Sequence, residues 1–291
     1  MRNRKRIFLE EVLNYRGGFM AKKKKKKSST GFFWKLLFLT ALAAFCFSAY
    51  QLYTIYQGYK AGVDEYDLVA HETVVKTSDP LIPKEQKLME DGQLLAAQYP
   101  DYQPPQVDFE ELRKMNSDVI GWLEIEAIPE ISYPVVQGTD NDYYLHKTFK
   151  KTDNYAGSIF VDCINRGDFT DCNTIIYGHN MKNGSMFGKL KRLCENEKYK
   201  DSRYLWICTP EGKYRYEIFS MQYAQVDSET YTLYSEHDDA FGGYLERMAE
   251  KSQVDMNTQD LTKDDYVVTL STCTSDDNVR FVVQARWVAT Y

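Results

Sequence analysis

Histidine is scarce in this chain. The 291 residues hold four: His71, His146, His179 and His237. Any imidazole chemistry must use one of them. The six cysteines include no Cys-x-x-Cys pair, which argues against a zinc site; no metal and no cofactor are expected. No internal repeat is visible, so a solenoid or propeller array is excluded. Formal charge is absent from Leu36 to Tyr59. No small-x-small cleavage site follows that apolar run, which favours an uncleaved anchor over a signal peptide. A lipoprotein reading of Leu42-Ala43-Ala44-Phe45-Cys46 fails because bulky Phe45 stands where a small residue is needed.

The charge that is present is unevenly spread. Residues 1–35 carry twelve basic side chains against Glu10 and Glu11, a net of +10; the total is −6, so the remainder carries −16. A basic head on an acidic body would suit nucleic acid if the head stood alone. Here Lys22 to Lys27 lead straight into the apolar run, so the expected partner is a lipid bilayer and no nucleic acid. As a helix, Leu36–Tyr59 would span about 36 Å, against about 30 Å of bilayer core. The lysines place the N-terminus in the cytoplasm and everything after the span outside. Tyr50, Tyr53 and Tyr56 fit an outer interfacial belt. The expected order is a basic cytoplasmic segment (1–31), a single-pass anchor in the cell membrane (32–59), a stalk (60–106) and an extracellular domain (107–291). The stalk holds Pro80, Pro83, Pro100, Pro104 and Pro105, with Lys84–Gln98 as a short helix. Translation starts at Met1 or at Met20, just before the lysines.

From Val107 the pattern is mainly β. Asp108 is a candidate N-cap for a helical turn carrying Phe109, Leu112 and Met115. Strands are expected at Val119–Ile125, Ile131–Gln137, Gly157–Val161, Asn173–Tyr177, Arg203–Thr209, Tyr214–Val226, Tyr266–Ser271 and Arg280–Ala289. Pro134 makes the second an edge or bulged strand, and Glu211-Gly212 reads as a hairpin turn. Two helices interrupt the series. Ser185 would cap one carrying Met186, Leu190 and Leu193; Asp238 or Asp239 starts one carrying Phe241, Tyr244, Leu245 and Met248. Eight short strands with few helices point to a closed barrel.

The chemistry concentrates at strand ends. Cys273 follows the β-branched run Tyr266-Val267-Val268-Thr269-Leu270 and precedes the loop Thr274–Asn278. A free thiol is strongly nucleophilic but mostly protonated at neutral pH, titrating near about 8.5, so it needs a base or a cation nearby. His179 ends the run Thr174-Ile175-Ile176-Tyr177-Gly178 at a turn and is the leading partner; His146 is the rival, while His71 and His237 read as solvated. Arg280 opens the last strand. A guanidinium there suits an oxyanion or a substrate carbonyl, against the blander reading of a surface salt bridge. Arg286 shares its face of the strand but lies about 20 Å farther along, so its replacement by lysine is expected to cost little. Five cysteines lie outside the membrane, an odd number, so at least one is free. Cys163 and Cys172 are placed to allow a disulfide across a loop, although isolated buried thiols are the favoured reading of most.

The order His, Cys, Arg within Tyr177-Gly178-His179-Asn180-Met181 and Thr269-Leu270-Ser271-Thr272-Cys273, with Arg280 seven residues on, resembles the sortases, the cysteine transpeptidases of Gram-positive surfaces. The two motifs look most like class B. The resemblance covers residues 107–291 and implies an eight-stranded sortase barrel, with the helix before the cysteine strand as the class B addition. It implies catalytic roles for His179, Cys273 and Arg280. Asn141, Leu145 and Ser271 resemble positions that line the sorting-signal groove. The acidic calcium loop of some class A members is not evident. The implied reaction cleaves a C-terminal sorting signal of surface proteins after Thr, through a thioester. The acyl group then passes to a peptidoglycan cross-bridge or pilin amine. A cell-wall cysteine peptidase would use the same residues with water as acceptor. A papain-like order runs Cys before His, and an L,D-transpeptidase holds the two in one motif. A membrane-anchored binding module with a degenerate site would not need all three side chains.

Overall fold

The computed structural model describes residues 30–75, 81, 84–86, 102–258 and 260–291. In chain order the elements are α1 (Thr30–Thr73), β1 (Val74–Val75), β2 (Glu85–Gln86), β3 (Gln106–Val107), α2 (Phe109–Met115), β4 (Val119–Ile125), β5 (Ile128–Gln137), α3 (Tyr143–His146), β6 (Ile159–Val161), β7 (Asn173–Tyr177), α4 (Arg192–Glu195), β8 (Tyr204–Cys208), β9 (Lys213–Gln225), α5 (Asp239–Glu250), β10 (Val267–Cys273) and β11 (Val279–Thr290). Each of the eight expected strands forms, with ends shifted by three residues at most.

Eight of them close a barrel in the order β10-β7-β6-β5-β4-β8-β9-β11, and β11 returns to pair with β10. Two pairings are parallel, β7 with β10 and β5 with β6; the other six are antiparallel. The interior is apolar, with Val135, Ile159, Ile176, Leu270, Phe281 and Val283 fully buried. Pro134 sits where β5 has only one neighbour: it pairs with Trp122, and the pairing to β6 begins one residue later, at Val135. A missing N–H is tolerated on such a locally unpaired edge. The β8–β9 hairpin turns at Glu211-Gly212, closed by Thr209 N–H to Gly212 O at 2.8 Å.

Helix α5 covers the outside of the barrel. Asp238 caps it, accepting from Phe241 N at 3.0 Å. Gly242 and Gly243 weaken its first turn, each by about 0.5–1 kcal/mol. Burial of Phe241, Tyr244, Leu245 and Met248 outweighs that, at about 1.5–3 kcal/mol per large apolar side chain. Beneath α5 lies a satisfied polar layer: Gln284 donates to Tyr244 OH (2.8 Å) and Thr269 Oγ1 (3.1 Å), and Thr269 donates to Asn173 Oδ1 (2.6 Å). Helix α2 is capped as expected, Asp108 accepting from Glu111 N at 2.9 Å.

Three local expectations change. The helix expected at Met186–Leu193 is instead a series of turns, with only Arg192–Glu195 helical. Gly184 and Met186 take left-handed φ of +82° and +53°, which a right-handed helix cannot contain, and Ser185 bonds Asn183 rather than capping a helix. Met186, Leu190 and Leu193 are still fully buried. The second change is at residues 60–73, read as the start of a stalk. They continue α1 without a break, because nothing from Lys60 to Thr73 stops the helix. Gly62, Tyr66, Val69 and Thr73 form its buried stripe, spaced four, three and four residues apart. Of the short helix expected at Lys84–Gln98, Glu85–Gln86 pair with β11 as a strand and the residues beyond lie outside the described ones. The third is Arg286. Only 1% of its side chain is exposed, and it ion-pairs with Glu217 at 2.9 Å.

The chain divides into two compact units within α1, Met1–Tyr53 and Thr54–Tyr291. In the first, α1 shows its apolar side chains to the surroundings; Phe32, Phe38, Phe45 and Phe47 are each more than half exposed. Thr40 Oγ1 satisfies itself on Leu37 O at 2.9 Å. A helix long and apolar enough to cross a membrane therefore begins at Gly31.

Candidate active site

Three strand ends build the site. Cys273 is the last residue of β10, and Arg280 stands directly across from it on β11. Paired residues on antiparallel strands lie about 5 Å apart at Cα. The intervening loop is turned by Thr274, whose hydroxyl donates to Val279 O (3.0 Å) and accepts from Asp276 N (3.1 Å). Arg280 Nη1 folds back onto Asp277 O at 2.8 Å and Val279 O at 3.1 Å; its Nε and Nη2 make no bond to the described residues. On the other side of β10, parallel β7 ends at Tyr177, and Gly178 N extends the ladder to Ser271 O at 3.1 Å. His179 follows at once. Asn180 then donates to Cys273 O at 2.9 Å, tying the histidine turn to the cysteine backbone.

These ends open on a cleft of about 220 Å³ lined by Leu145, Phe160, Tyr177, His179, Cys273 and Arg280, with Asn141, Ser271 and Thr272. All six residues singled out in the sequence meet there. Gly178 permits the packing beside His179: a Cβ would fall 2.5 Å from Ile159 Cδ1 and 2.6 Å from Phe187 Cδ2. The imidazole has one defined partner. His179 Nε2 lies 2.8 Å from Leu145 O. A carbonyl only accepts, so Nε2 carries the proton, and in the neutral ring the lone pair falls on Nδ1.

The remaining wall is braced from behind. Asn141 donates to Asp162 Oδ2 (2.9 Å) and accepts from Cys163 N (2.8 Å), and Tyr177 OH donates to the same Asp162 oxygen at 2.9 Å. Burial and the Asp162 carboxylate push the Tyr177 phenol well above its ordinary range, so it remains a donor. Ser271 Oγ meets Tyr231 OH at 2.8 Å, and burial raises that phenol too. The sequence reading missed Phe160, Tyr177, Tyr231 and Asn180 as site residues. Tyr177 and Asn180 lie within the histidine motif and were legible from it; Tyr231 ends a single 3₁₀ turn, Glu229–Tyr231, with no pattern to single it out.

A sortase-domain family model matches residues 123–288, more than half of the chain. The chain belongs to the sortase family. This sortase is 32% identical to sortase B of Listeria monocytogenes over 268 residues, 88% of this chain and 97% of that protein. It is similar to the crystal structure of Bacillus anthracis sortase B in complex with AAEK1, with a TM-score of 0.62 and 30% identity, covering 81% of this chain and all of the other. It also resembles the Staphylococcus aureus sortase B–substrate complex at TM-score 0.58 and 30% identity, covering 62% and 84% of the two chains. The sortase is thus of class B, a cysteine transpeptidase.

The other histidines of the sortase lie elsewhere. His146 ends α3 with its side chain largely exposed, 3.7 Å from Asp142. His71 is exposed on α1, and His237 bonds Lys263 O and packs edge-on to Tyr266. All six cysteines are free thiols, so Cys163 and Cys172 are not joined. Burial pushes the Cys172 and Cys194 thiols up, and Cys208 up to about 12. Cys172 and Cys208 are core side chains, and Cys194 is half-buried against the core.

Proposed function

We propose that this sortase cleaves a C-terminal sorting signal of surface proteins after threonine and transfers the acyl group to a cell-wall or pilin amine. The observation that carries the reading is the convergence of Cys273, His179 and Arg280 on one cleft from three neighbouring strand ends. In the first step the Cys273 thiolate attacks the threonyl carbonyl. The peptide C–N bond breaks, His179 gives a proton to the leaving amine, and a thioester remains. In the second, His179 takes a proton from the incoming amine, whose nitrogen attacks the thioester and releases the thiolate. Arg280 has two unengaged nitrogens to offer the developing oxyanion. Asn141, Leu145 and Ser271 line the groove that aligns the signal. Amides are poor electrophiles, so that alignment must supply much of the rate. The likeness to a sortase B solved with its substrate supports the same groove here.

The test is direct. Incubation with a threonine-containing sorting peptide should give an acyl-enzyme by intact mass, discharged by hydroxylamine and by an added amine. A covalent adduct that never forms, or one discharged equally fast by water as by amines, would refute the transpeptidation.

Helix α1 and the lysines that precede it support the setting. The uncharged segment within residues 32–59 is the single-pass anchor, residues 1–31 are cytoplasmic, and the domain that follows is extracellular. Protease added to intact protoplasts should therefore remove the barrel domain and leave the anchor. Full protection of the domain would reverse the orientation.

A further inference from the structure

The bond that orients His179 is held from α1. Its acceptor, Leu145 O, sits at the end of α3, and the segment facing it is Gly157-Ser158 at the entry to β6. Gly157 has φ of +57°, and a Cβ there would lie 2.7 Å from Leu145 O and 3.0 Å from His179 Cδ2. Its backbone is thus packed against both partners of the His179–Leu145 bond. The carbonyl of Gly157 accepts from Tyr66 OH at 2.7 Å. Tyr66 lies on the buried stripe of α1, with its ring edge-on to Tyr133 at 5.4 Å between centroids. Its oxygen also accepts from Phe149 N at 3.2 Å and stands 3.2 Å from Ser158 Oγ. Ser158 in turn donates through N to Tyr144 O (2.9 Å) and through Oγ to Lys147 O (2.8 Å). One hydroxyl therefore gathers the two segments, 144–149 and 157–158, that meet at the imidazole. Burial raises the phenol far above its ordinary range, so the hydroxyl keeps its proton and remains a donor.

We propose that Tyr66 is a positioning residue for the reaction. Through the Gly157 carbonyl it holds Leu145 O against His179 Nε2, fixing the imidazole in the tautomer that leaves the lone pair on Nδ1. The proposal rests on the reading of His179 as the acid–base group. It gives the juxtamembrane part of α1 a task in catalysis besides tethering.

Glu65 supplies the control. It is the neighbouring residue on α1 and docks the same helix, accepting from Lys150 N (2.8 Å), Thr148 Oγ1 (2.9 Å) and Thr152 Oγ1 (2.9 Å). None of those bonds involves Gly157, Leu145 or His179. Tyr66→Phe keeps the ring and removes the hydroxyl. In the full chain in detergent, Tyr66→Phe should lower kcat for thioester formation about tenfold or more with KM little changed. Nitrogen-15 spectra of labelled histidine should show one neutral tautomer, protonated on Nε2, in the parent and a mixture in Tyr66→Phe. Glu65→Ala should lower Tm at least as far while leaving kcat and the tautomer as they were. Retention of the single tautomer in Tyr66→Phe overturns the proposal, as does a Glu65→Ala variant that reproduces the fall in kcat. A mixed tautomer with kcat unchanged would remove His179 from the reaction, overturning the acid–base assignment rather than the contact.

Discussion

Replacing Cys273 with alanine is expected to abolish cleavage and transfer of a sorting peptide, a loss of at least about 10⁴-fold. No other thiol can substitute. Cys208 is fully enclosed against Pro105 O, with burial holding its thiol up near about 12. Cys172 belongs to the cluster under α5, and Cys194 follows the turns after Met186; burial raises both thiols. Cys163 is part-exposed but contributes its backbone N–H to Asn141 and does not line the cleft. Single alanine variants at Cys163, Cys172, Cys194 and Cys208 should therefore keep a measurable rate and form the acyl adduct. The assay is peptide cleavage with intact-mass detection of the thioester. Activity surviving in Cys273→Ala would sink the assignment of the nucleophile.

The site was legible because both halves of it sit at the ends of strands whose side chains announce them. Val267-Val268-Thr269-Leu270 can only be a buried strand, and the chain must leave the sheet at Cys273. The register Cys273↔Arg280 follows once a short loop joins β10 to β11. The parallel pairing of β7 with β10, which brings His179 alongside, depends on a crossover of about 90 residues, and no local pattern encodes it. The acceptor for His179 is a main-chain carbonyl, which carries no side-chain signature at all. The stripe Gly62, Tyr66, Val69, Thr73 is hidden in the sequence because the stretch runs on into the proline-containing stalk. Glu65 spends its charge on backbone and hydroxyl donors of the 148–152 turn. The difference at Met186 has its origin in backbone conformation. Apolar spacing of four and three residues was correct for burial, yet left-handed residues at Gly184 and Met186 satisfied it without a helix.

Arg280 and Arg286, on one face of β11, should fail in opposite ways when each becomes lysine. Arg280 lies part-exposed at the rim, and only its Nη1 is engaged among the described residues. Lysine keeps its charge but loses the planar fork. If the fork holds the oxyanion or substrate carbonyl, Arg280→Lys should slow thioester formation by about 10²-fold or more, the scale of one lost oxyanion donor. Its Tm should hardly move. Arg286 is in the interior beneath the outer layer, giving Nε (3.1 Å) and Nη2 (2.9 Å) to the one oxygen Glu217 Oε2, while Arg203 approaches the other oxygen at 3.2 Å. The alternation of β11 places Arg286 on the face of Arg280, and its distance from Cys273 keeps the expected effect on the reaction small; its burial adds a cost in stability. Lysine can supply only a point charge there, and Glu217 is left short of a charged hydrogen bond, a cost of about 1.5–3 kcal/mol. For a domain of this size that corresponds to a Tm lower by about 3–12 °C. The chemical rate per folded molecule should stay near that of the parent, because Arg286 stands about 20 Å from the cysteine end of the strand. Single-turnover thioester formation and thermal melts of both variants separate the two arginines. Near-full activity in Arg280→Lys, or a loss that tracks its Tm, removes the catalytic role of the planar fork; an unchanged Tm in Arg286→Lys removes the buried pair from the stability of the barrel.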